Sequence, residues 1–103
     1  MTPYRLEYTP EAADDLLRLY EFLVDKDLAL AGKAITVIES AIDVMCLYPY
    51  ICRKAQGGDL GSMWRELLIN FGSGGYIALF QILSDEAVQV AAVRHQREED
   101  YRH

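Results

Sequence analysis

Long apolar runs are missing from this 103-residue chain, and cysteine, histidine and positive charge are all scarce. No stretch approaches the roughly 18 uninterrupted apolar residues of a membrane-spanning helix, which excludes a transmembrane protein of that type. The opening MTPYRLEY carries Arg5 and Glu7 where a secretory signal would have its apolar centre, so cytoplasmic residence is the expectation. Two cysteines, Cys46 and Cys52, stand apart from any second pair or histidine at metal-ligand spacing. They read as reduced thiols, and neither a disulfide nor a zinc or other metal site is expected. Ten Lys and Arg face sixteen Asp and Glu, a net charge of −6. That balance argues against broad phosphate-backbone contact, so direct nucleic-acid binding is not favoured. The cations are also unevenly placed. Residues 1–50 carry 4 against 9 acidic residues, whereas residues 51–103 carry 6 against 7.

What the chain has is apolar content, 51% of it, enough for one core and one domain spanning residues 1–103. Tyr4, Leu6 and Tyr8 alternate with Arg5 and Glu7, the period of a half-buried strand. Thr9 is placed to cap a helix that starts at Pro10, with Glu11 suiting its positive end. Ala13, Leu16, Leu17, Tyr20, Leu23 and Val24 recur at helical spacing and predict the inner stripe, opposite Asp14, Asp15, Arg18 and Glu21. After Asp25-Lys26-Asp27, a second helix is expected from about Leu28 to Leu47, its inner face Ala31, Ile35, Ile38, Ile42 and Met45. Residues 48–62 show no period and read as a loop. Strands are expected at about 63–70, 76–83 and 88–95, joined by the short connectors FGSGG and SDEA. The order β-α-α-β-β-β predicts an α+β fold, a mostly antiparallel sheet with a helical hairpin packed on one face.

Alternation then assigns faces. Tyr76, Ala78, Phe80 and Ile82 are expected under the helices, and Ile77, Leu79 and Gln81 on the helix-free side. Gln89 places Ala91, Val93 and His95 on that same free side, so Ile77, Leu79, Ala91 and Val93 form an apolar patch suited to a partner, the chain's own loop or a second copy. Trp64 and Leu68 favour the core, which would carry Glu66 inward, and Arg94 is expected to lean inward too. A buried Glu66 needs a partner, and Arg94 is the candidate. FGSGG joins two strands and opens no helix, so it is a hairpin turn and cradles no phosphate; no cofactor is implied. Arg53-Lys54 and Glu98-Glu99-Asp100 read as solvated charge.

Taken in order, the opening strand with Thr9-Pro10-Glu11-Ala12-Ala13, Tyr48-Pro49, Trp64-Arg65-Glu66-Leu67, Gly75-Tyr76 and Val93-Arg94-His95-Gln96-Arg97-Glu98 resemble the RelE/ParE superfamily of toxins from type II toxin–antitoxin pairs. The likeness spans essentially the whole chain, although no single piece is diagnostic. It implies a toxin masked by a cognate antitoxin, with Ile77, Leu79, Ala91 and Val93 as the surface the antitoxin would cover. It also implies one of two targets. RelE-like members cut mRNA on the ribosome, whereas ParE-like members poison DNA gyrase.

RNA cleavage by 2′-hydroxyl attack needs a base, cations for the charged intermediate and an acid for the leaving oxygen. By resemblance, Arg65, His95 and Tyr101 would be the catalytic residues of a nuclease. Leu67 and Ile77, however, stand where further cations would be, and losing one such stabiliser typically costs about 10²–10³ in rate. The expectation is therefore a ParE-like gyrase inhibitor that needs no catalytic residue, with Arg94, Arg97 and Tyr101 meeting the target. The alternatives are a ribosome-dependent endoribonuclease and a non-toxic binding module of the same fold.

Overall fold

A computed structural model describes residues 2–55, 61, 63–98, 100 and 101. Its elements are β1 (Arg5–Tyr8), α1 (Pro10–Val24), α2 (Leu28–Met45), a 3-10 turn (Pro49–Ile51), β2 (Arg53–Lys54), β3 (Trp64–Phe71), β4 (Gly74–Ile82) and β5 (Ala87–His95). The sheet runs β1-β5-β4-β3-β2, antiparallel except where β1 lies parallel to β5. The helical hairpin covers one face, with α1 on β5 and α2 on β3. This is the expected α+β architecture, with one addition. Part of the stretch read as loop is built, as the 3-10 turn and the two-residue edge strand β2.

Local chemistry sets the element ends. Thr9 Oγ1 accepts from the Ala12 amide at 3.1 Å, and Pro10 takes the first helical position. Asp27 caps α2 by accepting from Ala29 and Leu30 amides at 2.9 and 3.2 Å. Between β3 and β4 only Gly72-Ser73 turn, and Gly72 has φ +61°, the left-handed value that a two-residue hairpin of this kind demands at its first position. Gly75, at φ +155°, is required by close approach: a Cβ there would lie 2.0 Å from the Ile69 carbonyl oxygen. Its own carbonyl accepts from Gln96 at 2.9 Å, which draws the chain after β5 back over the hairpin.

The core is Ile38, Ile42 and Met45 of α2 against Tyr76, Ala78, Phe80 and Ile82 of β4 and Val88, Val90 and Val93 of β5. The α2 and β4 faces are as expected, except that Ala34 is fully buried where Ile35 is partly so. Three other assignments change. On α1 the buried side chains are Ala12, Asp15 and Leu19, while Leu17 is 55% exposed, a stripe rotated by about one position.

The cause lies in β5. Its register with β4 passes from Phe80↔Val90 to Leu79↔Ala92, so Ala91 is an extra, bulged residue. A bulge needs its backbone groups satisfied, and α1 does this. Thr9 Oγ1 donates to the Ala91 carbonyl at 3.1 Å, and Asp15 Oδ2 accepts from the Val93 amide at 2.9 Å. Asp15 is therefore drawn inward. The bulge also reverses the parity of the residues after it. Val93 and His95 turn to the helix side, opposite Ala78 and Tyr76. Ala92 and Arg94 turn to the free side, the reverse of the expectation.

The third change is β3. Glu66 lies opposite Leu79 and Leu68 opposite Ile77, whereas Arg65, Leu67 and Ile69 face the helices with Phe80, Ala78 and Tyr76. Trp64, Glu66 and Leu68 thus belong to the helix-free face. Alternation misled because both faces of this sheet carry large apolar residues.

Candidate functional site

The polar residues after Val93 divide between the two faces of the sheet end. On the helix-free face, Glu66 is only 6% exposed because two groups close over it. Arg53 Nε donates to Oε1 at 3.2 Å and Tyr101 Oη donates to Oε2 at 2.7 Å. The Arg94 guanidinium lies 5.0 Å from the Tyr101 ring centre and donates to the carbonyl oxygens of His95 and Glu98. Glu66 is paired, as expected, but with Arg53 and Tyr101; Arg94 meets the cluster at Tyr101. This tail crosses the side on which Ile77 and Ala92 lie, and both are buried, at 5% and 2% exposed. Burial first, then the hydrogen bond and charge of Glu66, push the Tyr101 phenol well above its ordinary range, against a smaller pull from Arg94.

On the helix side, His95 stacks edge-on against Tyr76, ring centres 5.5 Å apart, and its Nδ1 accepts from the Arg97 amide at 3.0 Å. Glu98 is no solvated charge. Its Oε1 accepts from Arg18 Nη1 at 3.0 Å and from the His95 amide at 3.3 Å. Asp100 is exposed and accepts from the Tyr101 amide; Glu99 lies outside the described residues. A groove of about 520 Å³ opens here between α1 and the sheet end, with Leu19, Phe22, Leu23 and Phe71 as walls and Arg18 and Arg97 at its rim.

The residues expected to act together are therefore scattered. Arg65 Nη1 donates to the carbonyl oxygens of Tyr50 and Cys52 at 2.9 and 3.0 Å, and its guanidinium lies 5.4 Å from the Tyr50 ring centre. It clamps the 3-10 turn. His95 shares its face, but their partners Phe80 and Tyr76 lie four positions apart on β4, about 13 Å along a strand. Tyr101 is on the opposite face. Of Arg94, Arg97 and Tyr101, the first and last lie together and Arg97 stands on the helix side. Ile77 and Leu79 do lie on the free face. Val93, 1% exposed, is in the core, and half-buried Ala91 is the bulge held by Thr9. Among the described residues no three His, Cys, Asp or Glu side chains gather as a metal site, and no helix is long and apolar enough to cross a membrane.

Sequence reasoning missed the roles of Asp15 and Arg53 and the built Pro49–Ile51 turn. Only the proline between two tyrosines hinted at the last of these.

Known proteins bear on this arrangement. Residues 6–100 match the family model for the ParE toxin of the type II toxin–antitoxin system parDE. A curated relative, toxin RelE3 of Caulobacter vibrioides, is 32% identical over 97 residues, covering 90% of this chain and 95% of its own. A solved structure of the chromosomal ParDE toxin–antitoxin system from P. aeruginosa superimposes with a TM-score of 0.71 at 18% identity, over 89% of this chain and 95% of that one, and shares the fold. With a family match that runs from β1 to the tail and a relative alike over nine-tenths of its length, the chain belongs to the ParE toxin family, the RelE/ParE superfamily of type II toxin–antitoxin toxins.

Proposed function

We propose that this toxin acts in the cytoplasm by binding DNA gyrase, without a catalytic residue of its own, and that a cognate antitoxin neutralises it. The observation that carries this reading is the dispersal of Arg65, His95 and Tyr101. A base, a cation and an acid must converge within hydrogen-bond reach of one phosphodiester. Here the arginine holds backbone carbonyls, the histidine accepts from a turn amide, and the tyrosine is bound to a carboxylate on the other face. Tyr101 also holds its proton more tightly than an ordinary phenol, which suits neither general acid nor general base near neutrality. Net charge of −6 is a further argument against a protein that must enter dense RNA.

For the antitoxin, the surface is the part of the free face that the tail leaves open, half-buried Leu79 and Leu68, which is 48% exposed beside the buried Ile77. Purified toxin added to gyrase and relaxed plasmid is expected to block supercoiling, and added to translating ribosomes to leave mRNA intact. Codon-positioned cuts in ribosome-bound mRNA would overturn the gyrase reading in favour of a RelE-like endoribonuclease.

A further inference from the structure

We propose that the pole formed by Tyr48, Tyr50 and Ile51 is the surface with which the toxin grips its target. The partner it fits is a protein offering an apolar side chain beside carboxylates. The inference rests on the toxin reading and names a contact for it, at the turn before β2.

Three observations support it. The first is exposure without looseness. Ile51 is 80% exposed, Tyr50 50% and Tyr48 49%, an unusual gathering of large apolar side chains in four residues. Yet the turn that bears them is fixed from below. Arg65 reaches out of β3 to bind the Tyr50 and Cys52 carbonyls and to stack on Tyr50, Pro49 is fully buried, and β2 ties the next residues to β3. Holding aromatic side chains rigidly before binding reduces the ordering cost of association, and tyrosine is enriched among residues that dominate interfaces.

The second is shape. A groove of about 290 Å³ lies between this turn and Thr2 and Tyr4, room for a partner's side chain next to the Ile51 knob. The third is charge. Residues 46–55 contain Arg53 and Lys54 and no acid, within a chain of net charge −6. Lys54 is exposed, and Arg53, paired with Glu66, is still 42% exposed. Cations bordering an apolar knob complement carboxylates bordering an apolar cleft. A protein suits this surface better than nucleic acid. Ile51, the most exposed of the three, offers no plane for a base, the Tyr50 ring already carries the Arg65 guanidinium, and that guanidinium is turned to backbone carbonyls, which leaves Tyr48 as the one open ring of the pole.

The test uses full-length toxin, purified DNA gyrase and relaxed plasmid. Ile51→Ser and Lys54→Glu alter exposed side chains, and Leu17→Ser removes an exposed one from α1 as a control. Wild type and Leu17→Ser are expected to inhibit supercoiling alike. Ile51→Ser and Lys54→Glu are expected to need about tenfold more protein or worse, with unchanged melting. Full inhibition by both pole variants, or equal loss in Leu17→Ser, overturns this inference and leaves the gyrase reading standing. Failure of the wild type to inhibit overturns both. A fluorescent single-stranded RNA bound by wild type and released by Lys54→Glu would make the pole a nucleic-acid surface and overturn the protein partner.

Discussion

Replacing Tyr101 by Phe removes one oxygen atom and tests whether the tail is a structural latch. Glu66 is 6% exposed and accepts from Tyr101 at 2.7 Å and Arg53 at 3.2 Å. A hydrogen bond to a buried charged group contributes about 1.5–3 kcal/mol. The low end applies, because Arg53 stays to compensate the carboxylate and a phenylalanine ring keeps the stacking with Arg94. A loss of about 1.5 kcal/mol lowers the melting midpoint of a domain this size by roughly 6–12 °C. Circular dichroism at neutral pH measures it. In a Glu66→Leu background the same change should cost little, since the acceptor is gone.

Alkaline pH gives a second readout. The phenol's pKa is raised in the fold above the ordinary 10.0, so its contribution is complete below about pH 10. It is lost as pH climbs from there toward the folded value, because the unfolded chain releases the proton first. Tyr101→Phe should lose that share of the alkaline decline and keep the part due to Tyr8 and Tyr76, whose phenols are also raised by burial. A variant with wild-type melting and a wild-type alkaline profile would refute the latch.

Asp15→Ala strands the buried Val93 amide and should cost about 1–3 kcal/mol in urea unfolding, more than the similar change at exposed Asp14. Gly75→Ala meets the Ile69 carbonyl at a positive φ and should destabilise by more than about 1 kcal/mol, with faster hydrogen exchange at Gln96. Arg65→Met should loosen the Pro49–Ile51 turn and lower stability in thermal melts by about 1.5–3 kcal/mol, and it should weaken gyrase inhibition along with the turn that the guanidinium holds. Ile77→Arg sets a second cation opposite Arg94 under the tail; it should lower melting, weaken antitoxin binding and confer no cleavage of mRNA.

Elements governed by their own residues were legible in the sequence. Thr9-Pro10 opens α1, Asp27 opens α2, Gly72 turns the hairpin, and the aromatic parity of β4 names the core face, all local effects. What escaped depended on a distant partner. Two adjacent alanines conceal the bulge at Ala91, whose cost is met by Thr9 and Asp15 about eighty residues earlier in the chain. Without the bulge, parity sends Val93, Arg94 and His95 to the wrong faces. The same held for Glu66. A carboxylate two positions from Trp64 and from Leu68 reads as inward-facing, and it is Arg53 from the edge strand and a tail arriving from residue 101 that make it buried on the other side. Arg65, taken for a candidate catalytic cation by resemblance, has its role set by carbonyls in a segment that showed no periodicity at all.

The parallel pairing of β1 with β5 has a consequence for biosynthesis. Arg5 sits beside Ala87, and β5 is also the strand that joins β1 to β4. During translation the first strand must therefore wait, without a sheet to enter, while the helices, hairpin and finally residues 87–95 emerge. A ribosome that stalls before that point releases a polypeptide with no seat for its own beginning, and contacts so distant in sequence also favour slow folding. A toxin-family chain thus closes its sheet only at the last stage of its synthesis.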